Sequence, residues 1–212
     1  MIEEYISKVE TAIHNAIEKN TKLTATQFNL DGMSTKENRI FLNELLKSQD
    51  KYLEIGVFKG STFASALYKN DSVEAFAIDN FSEFAGNLQW FKQACDDSEL
   101  KDYKFFQEDC FNLSQETKDQ LKKINVYFYD GGHTHDDQER ALTYYIDHLA
   151  DDFIFIVDDW NHGEAQTGTV AGIEKTKVTV HKTWILDSNF LGKNLSWHNG
   201  LYVAVMSKNK EI

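Results

Sequence analysis

The chain has 212 residues, of which 42% are hydrophobic, and its formal net charge is −12. This length and apolar content fit a globular α/β protein with a full core. Nucleic acids and anionic membranes attract basic protein surfaces, so the acidic balance predicts no nucleic-acid and no membrane partner.

The cysteines and the N-terminus bear on the cellular compartment. Cys95 and Cys110 cannot build a disulfide framework and are typical of a reducing environment. No apolar run is long enough to cross a bilayer, and charged residues interrupt the N-terminus where a signal peptide would need an apolar stretch. We therefore expect a cytoplasmic protein.

The first 48 residues are predicted to form a helical N-terminal extension. Apolar residues recur every three or four positions over residues 2–19, which predicts an amphipathic helix. Its stripe packs on the domain or serves as an interface in a homo-oligomer. Ser34 and Glu37 have capping-box spacing, so a second helix is expected to follow Ser34.

Residues 49–212 alternate between strand-like and helix-like patterns. Strands are predicted at 52–55, 73–78, 103–106, 126–129 and 153–157, with helices at about 61–69, 83–95, 114–123 and 136–149. Such alternation predicts a Rossmann-like, doubly wound and mostly parallel α/β sheet. The runs 178–186 and 201–206 add a hairpin-like pair, giving seven strands with an antiparallel edge strand. The whole chain is expected to be a single domain.

A glycine turn follows the first predicted strand, in the sequence Glu54-Ile55-Gly56-Val57-Phe58-Lys59-Gly60-Ser61. A strand, a glycine turn and a helix N-terminus form a unit that can hold a nucleotide-like ligand. The register opposes a dehydrogenase, because Phe58 and Ser61 stand where a dinucleotide fingerprint requires glycine. It also differs from a P-loop, since Lys59 precedes Gly60.

Acidic residues stand at or just after the carboxyl end of each of the five predicted parallel strands. They are Glu54, Asp79, Asp109, Asp130 and the pair Asp158-Asp159. Ligands of open parallel sheets bind beyond the carboxyl ends of the strands, and Asp79 has the spacing of a residue that accepts bonds from ribose hydroxyls. These acidic side chains meet at one edge of the sheet, where like charges repel. The sequence therefore predicts a bound cation or a hydroxyl-rich ligand at that edge.

From about residue 32 onward, this order of motifs resembles the class I S-adenosylmethionine-dependent methyltransferases. The second half is similar to the metal-dependent, macrocin O-methyltransferase-like group, which acts on sugar hydroxyls. The resemblance implies S-adenosylmethionine as cofactor, a divalent metal such as magnesium, and a small polyhydroxylated acceptor that is sugar-like or catechol-like.

The same resemblance implies roles for individual residues. Asp130, Asp158 and Asp159 would hold the metal, and His133 or Asp130 would remove the acceptor proton. The cofactor-binding set would be Glu54, Gly56, Gly60, Ser61, Asp79, Asp109, Cys110 and Asp130.

Several alternatives stay open. His133 is either a general base or a residue that orients Asp130 or caps a helix. The enzyme either uses a metal or methylates oxygen or nitrogen with His133 alone. A third interpretation is a non-catalytic nucleotide-binding or assembly protein with a relic pocket. Trp160, His162 and the loop 188–200 are candidates for the acceptor pocket or for ordinary packing.

Overall fold

The computed structural model of the chain describes residues 1–84, 86–187 and 197–209. Its strands are β1 Lys51–Ile55, β2 Glu74–Ile78, β3 Lys104–Phe106, β4 Ile124–Tyr129, β5 Leu149–Val157, β6 Thr179–Leu186 and β7 Leu201–Ser207. They form one sheet in the order β3-β2-β1-β4-β5-β7-β6. All neighbouring pairs are parallel except those of β7, which lies antiparallel between β5 and the edge strand β6. The predicted Rossmann-like sheet is thus confirmed.

The helices alternate with the parallel strands and precede them at the N-terminus. They are α1 Ile2–Glu18, α2 Ala25–Asn29, α3 Lys36–Leu45, α4 Ser61–Leu67, α5 Leu88–Asp97, α6 Gln115–Gln120, α7 His135–Thr143 and α8 Gly163–Thr176. Among the described residues, no helix combines the length and the apolar character that crossing a membrane requires.

Side chains of each strand alternate between two apolar layers, because successive residues of a strand point to opposite faces. On β4, Val126 and Phe128 join the layer that contains the apolar residues of α1, α3 and α5. Tyr127 and Tyr129 join the layer on the other face, together with Ala141 and Leu142 of α7. Helices therefore cover both faces, as expected for a sheet whose central strands are parallel.

The register of the sheet brings the carboxyl ends of four strands to one level. Ile55 pairs with Ile78 on one side and with Tyr129 on the other, and Tyr129 pairs with Val157. The next residue of every strand therefore lies at a common edge. The chain order reverses between β1 and β4, which opens a crevice at that edge.

The N-terminal helix α1 is covered by its own chain. Val9, Ala12 and Ala16 are fully buried, and α1 packs chiefly against α3. Lys8 Nζ lies 2.5 Å from Asp50 Oδ2, and both side chains are more than nine-tenths buried. Asp50 also accepts hydrogen bonds from the Lys47 amide and from Asn125. The apolar stripe is thus used within the chain.

Three local features differ from the sequence predictions. The N-cap of α3 is Thr35, whose hydroxyl accepts from the Asn38 amide, whereas Ser34 accepts from Arg39 Nε. Helix α5 begins at Leu88 instead of near residue 83, and α7 ends at Thr143. Helices α2 and α8 were not predicted, although Thr24 and Gln27 form a capping box at the start of α2.

Glu54 is a buried link between β1 and α4. Its carboxylate accepts from Tyr52 Oη and from Thr62 Oγ1, each at 2.5 Å. Burial raises the pKa of Glu54 from 4.5 to about 7 and outweighs the opposing effect of these hydrogen bonds. Glu54 is therefore a structural carboxyl group that carries its proton up to neutral pH.

We expect Lys8→Met to lower the free energy of unfolding by about 3 kcal/mol, because it leaves the buried Asp50 carboxylate without its cation. Lys51→Met is the matched control, since the side chains of its ion pair with Glu74 are 35% and 45% exposed and such a pair contributes less than about 1 kcal/mol. Urea denaturation measures both losses. Equal losses of unfolding free energy in the two variants would show that the Lys8–Asp50 pair contributes no more than an exposed pair.

Glu54→Gln is expected to change how stability depends on pH. Between pH 4.5 and about 7 the folded state keeps the Glu54 proton and the unfolded state has lost it, so the wild-type chain becomes less stable as pH rises. The glutamine variant lacks this loss. Its stability relative to wild type should rise across the window by on the order of 3 kcal/mol, at about 1.4 kcal/mol per pKa unit.

Urea denaturation at several pH values tests this expectation. Glu74→Gln removes an exposed carboxylate from the neighbouring strand and serves as the control. Parallel stability curves for wild type and Glu54→Gln would show that Glu54 titrates normally.

Candidate active site

A cavity of ≈ 460 Å³ opens at the carboxyl ends of β1, β2, β4 and β5. Eight of the residues singled out from the sequence line it: Gly56, Asp79, Asp109, Cys110, Asp130, His133, Asp158 and Asp159. Glu54, Gly60 and Ser61 do not line it. The sheet edge therefore brings together most of the predicted set around one space of ligand size.

Gly56, directly after β1, packs against the backbone that follows β4. Its φ is +82°, and a Cβ at this position would lie 1.9 Å from the carbonyl oxygen of Asp130. No side chain fits between these two backbones, so glycine is required here for steric reasons. The close approach places Asp130 beside the glycine turn.

Asp79 ties together two loops at the rim of the cavity. Its Oδ2 accepts from the Phe58 amide at 2.8 Å, and its Oδ1 accepts from the Phe81 amide at 2.6 Å. Phe58 and Phe81 both have positive φ, a conformation that costs energy for bulky residues. The carboxylate holds both turns in place, and each of its oxygens keeps a further lone pair for a ligand.

The first residues of α4 are covered by α5 and by the loop between α2 and α3. A Cβ on Gly60 would contact Phe91 and Ala94 of α5, and a Cβ on Gly32 would collide with the Ser61 hydroxyl. Gly60 and Ser61 are thus packed positions that support the turn from behind.

The loop that covers Ser61 is held by a buried cation. Arg39 is 4% exposed and donates to the carbonyl oxygens of Gln27 at 2.6 Å and Leu30 at 3.1 Å. Burial lowers the pKa of Arg39. The same loop carries Met33 to the cavity, so the N-terminal extension contributes to the site.

Asp109 and Cys110 follow β3 on the far side of the cavity. Asp109 Oδ1 accepts from the Phe111 amide at 2.8 Å, which orders the turn. The carbonyl oxygen of Cys110 accepts from Tyr145 Oη at 2.6 Å. Burial raises the pKa of the Cys110 thiol to about 12, so this thiol stays neutral and is not a nucleophile.

Carboxyl groups crowd the ends of β4 and β5. Burial raises the pKa of Asp158 to about 7, and the adjacent Asp159 charge adds to the shift. Burial also raises the pKa of Asp130 well above its usual value, with further contributions from Asp158 and Asp159. Without a compensating cation, these two groups share protons at neutral pH.

Asp159 and His133 are in direct contact inside the cavity. His133 Nε2 lies 2.5 Å from Asp159 Oδ2, and Asn199 Nδ2 donates to Asp159 Oδ1 at 2.5 Å. The contact with Asp159 raises the pKa of His133, although burial opposes it. For Asp159, burial would raise the pKa, but the bonds from His133 and Asn199 outweigh it and lower the pKa.

The donor set at this point fits a divalent cation. Ligand atoms of Asp130, His133 and Asp159 all lie within 4.8 Å of one another. Asp158 Oδ1 is buried and has no hydrogen-bond partner in the described part of the chain. Carboxylate oxygens are the preferred ligands of Mg²⁺, and a buried unpaired carboxylate oxygen is costly unless a cation is nearby.

The candidates for the acceptor pocket divide into two groups. His162 and His198 line the cavity, and the His162 ring stacks on His133 with centroids 6.0 Å apart. Trp160 instead stacks on Tyr202, and Trp197 is 1% exposed against Phe41. Phe190 and the rest of 188–196 lie outside the described residues.

Sequence reasoning missed Glu83 and Phe84, which line the cavity; it gave Phe58 no role in the site and included Asn199 only as part of the loop 188–200. Glu83 and Phe84 fell inside a predicted helix, although Gly86 and Asn87 mark its true start. The Asn87 side chain accepts from the Trp90 amide as the N-cap of α5. This Asn-x-x-Trp spacing was the available signal.

Comparisons with known proteins identify the fold. A family model described as a methyltransferase domain matches residues 53–160, about half of the chain. The SAH-bound methyltransferase PaMTH1 of Podospora anserina superposes with a TM-score of 0.62 at 14% identity, covering 94% of this chain and 96% of that one. No curated protein sequence matches.

Other solved structures share the fold over different lengths. TrmN from Thermus thermophilus has a TM-score of 0.60 at 12% identity, and the match covers 86% of this chain. The chain spans about half the length of two of these structures. The match covers 52% of TrmN and 48% of SMU.776, a methyltransferase complexed with SAH. An rRNA methylase from Streptococcus thermophilus has a TM-score of 0.52 at 16% identity, covering 81% of this chain and 94% of that one.

The rRNA methylase overturns one expectation. The prediction of no nucleic-acid partner is wrong, because the same fold serves a protein named for acting on rRNA. A net charge of −12 is a sum over the whole chain and does not exclude a nucleic-acid acceptor at one face.

The matched segment begins within β1 and ends just after β5, so it contains the glycine turn and the acidic residues at the strand ends. The chain therefore belongs to the methyltransferase domain family and has the class I S-adenosylmethionine-dependent methyltransferase fold.

Proposed function

We propose that the protein transfers the methyl group of S-adenosylmethionine to an oxygen of a small acceptor with two adjacent oxygen atoms, assisted by a divalent cation. The observation that carries this proposal is the cluster of Asp130, Asp158 and Asp159, in which Asp158 Oδ1 is buried without a partner. Such a cluster gains most from a hard cation and an oxygen-rich ligand.

The cofactor would occupy the part of the cavity beside Gly56, Asp79 and the end of β3. Asp79 keeps free lone pairs for ribose hydroxyls, and Asp109 and Cys110 flank the position of the adenine. Asp130 also borders this space. Glu54, Gly60 and Ser61 support the site by holding the β1–α4 turn in shape. Bound S-adenosylmethionine supplies an electrophilic methyl group on a sulfonium centre.

Asp130, Asp158 and Asp159 would hold the cation. A divalent metal supplies Lewis acidity, which lowers the pKa of a nearby acceptor hydroxyl. Asn199 fixes one oxygen of Asp159 and leaves the other facing His133. The carboxylates orient the acceptor, so that the attacking oxygen and the methyl group come into line.

His133 would accept the proton of the attacking hydroxyl. Neutral His133 would take this proton at Nε2, which lies 2.5 Å from Asp159 Oδ2, and the Asp159 carboxylate would stabilise the imidazolium that forms. The His162 ring stacks beside it, with the two ring centroids 6.0 Å apart. Asp130 is a second candidate for the base, because it lies in the same cluster.

We also propose that residues 1–212 form one domain, with 1–48 as an extension of the core 49–212. The buried Lys8–Asp50 pair and the Met33 loop support this proposal, since both join the extension to the core. A single cooperative unfolding transition by fluorescence and circular dichroism is expected.

Asp158→Asn should weaken Mg²⁺ binding about tenfold or more while leaving the affinity for SAH nearly unchanged, because it removes a charge from the cluster and not from the cofactor side. Calorimetric titration of Mg²⁺ and of SAH measures both. Asp151→Asn changes an exposed carboxylate within β5, the strand that Asp158 follows, and is the control. Unchanged Mg²⁺ affinity in Asp158→Asn would refute the metal site.

Transfer of labelled methyl groups to three acceptor classes tests the substrate. Catechol, a methyl glycoside with adjacent hydroxyls and an rRNA transcript are each supplied with Mg²⁺ or with EDTA. We expect magnesium-dependent transfer to a small diol. Transfer to the rRNA transcript alone would replace the small-acceptor proposal.

His133→Gln should reduce kcat by about 10²- to 10⁴-fold, the usual contribution of a general base. Its Mg²⁺ affinity should stay at the wild-type value. A loss of both would make His133 a metal ligand, and unchanged kcat would leave Asp130 as the base. His135→Gln alters an exposed imidazole at the start of α7 and controls for helix stability.

A further inference from the structure

The segment 197–200, which leads into β7, forms a strap beside the loop that follows β5. The Trp160 amide donates to the Gly200 carbonyl oxygen at 3.0 Å, and the Asn161 amide donates to that of Asn199 at 2.8 Å. These backbone bonds hold the strap next to the acidic end of β5.

The strap is also anchored in the core. Trp197 is 1% exposed, and its ring makes an edge contact with Phe41 of α3 at a centroid distance of 6.2 Å. The Gly200 amide donates to the Trp197 carbonyl oxygen at 2.8 Å, which closes the strap into a turn. Asn199 lies within this turn and is therefore held in a defined position.

The Asn199 side chain reaches one carboxylate oxygen of Asp159. Its Nδ2 donates to Asp159 Oδ1 at 2.5 Å, while Asp159 Oδ2 lies 2.5 Å from His133 Nε2. His133 follows β4, Asn199 precedes β7, and β5 lies between these two strands in the sheet. The two oxygens are therefore turned toward opposite sides of β5, and Oδ2 lies on the side of Asp130.

This orientation limits how Asp159 can bind a cation. A carboxylate that binds one cation through both oxygens must turn both toward it, and Asn199 holds Oδ1 toward the strap. Ca²⁺ takes roughly six to eight oxygen ligands and accepts carboxylates that contribute one oxygen or two. Mg²⁺ is smaller, demands near-octahedral geometry and keeps several waters, so single oxygens from a few carboxylates suffice. The arrangement therefore suits the smaller ion.

We infer that Asn199 is a positioning residue that restricts Asp159 to a single oxygen contact with the cation, so that the site prefers Mg²⁺ to Ca²⁺. This inference rests on the proposed function and adds the selectivity of its metal site. Asn199 acts through Asp159 and supplies no ligand atom. Without the amide donor, Asp159 can turn and offer both oxygens to the larger ion.

Calorimetric titration of Mg²⁺ and of Ca²⁺ into the full chain, saturated with SAH, tests the inference. Wild type is compared with Asn199→Ala and with Asn199→Leu, in which leucine keeps much of the side-chain volume and lacks the donor. Asn161→Ala is the matched control. It removes an exposed asparagine side chain from the loop beside the strap and keeps the backbone amide that bonds to the strap.

We expect wild type to bind Mg²⁺ more tightly than Ca²⁺. Both Asn199 variants should lower the ratio of the Ca²⁺ Kd to the Mg²⁺ Kd by about tenfold, which is within the usual effect of groups that orient metal ligands. Asn161→Ala should keep the wild-type ratio. If Asn199 only supported the fold of the loop, its loss would weaken the binding of both ions by the same factor.

An unchanged ratio in both Asn199 variants would overturn the inference, and so would a wild type without preference for Mg²⁺. A retained preference in Asn199→Leu would also overturn it, because side-chain volume and not the donor would then set the selectivity. The proposed function fails in a different way. If wild type binds neither ion, the carboxylate cluster is not a metal site, and the inference is refuted together with it.

Discussion

Mutual repulsion among carboxylates is the constraint around which this molecule is arranged. The register of β1, β4 and β5 places Asp130 and Asp158 at neighbouring strand ends, and Asp159 follows directly. The sheet cannot separate them without breaking its ladder of hydrogen bonds. Their charges must be neutralised by protons, by His133 or by a cation, and this requirement gives the cleft its chemistry.

The parts predicted correctly from the sequence depend on short-range regularities. Buried parallel strands are continuous apolar runs, and the acidic residue after each run marks its carboxyl end. Once β1, β2, β4 and β5 are parallel, their ends must share an edge, so Asp79, Asp130 and Asp158 could be placed together without coordinates. Gly56 was predictable for the same reason, since a turn there must pass close to β4.

Contacts between distant segments were not predictable. Helix α8 contains Gly168 and Gly172, which weaken a helical pattern, yet a Cβ at Gly168 would lie 2.3 Å from the His135 carbonyl oxygen of α7. The pairing of Arg39 with the loop ahead of it, and of Asn199 with Asp159, likewise arises from tertiary packing. Phe84 was hidden because polar and aromatic residues after β2 imitate an amphipathic helix.

The insertion of β7 between β5 and β6 has a consequence for how the protein is made. Residues after β6 hydrogen-bond to the segment after β5, with Trp160 donating to the Gly200 carbonyl and Asn161 to that of Asn199. Strand β7 is the last of the seven to leave the ribosome, and it must enter a space between two strands already synthesised. The contact between Asn199 and Asp159 therefore joins positions 40 residues apart and forms only after the segment that leads into β7 has been translated.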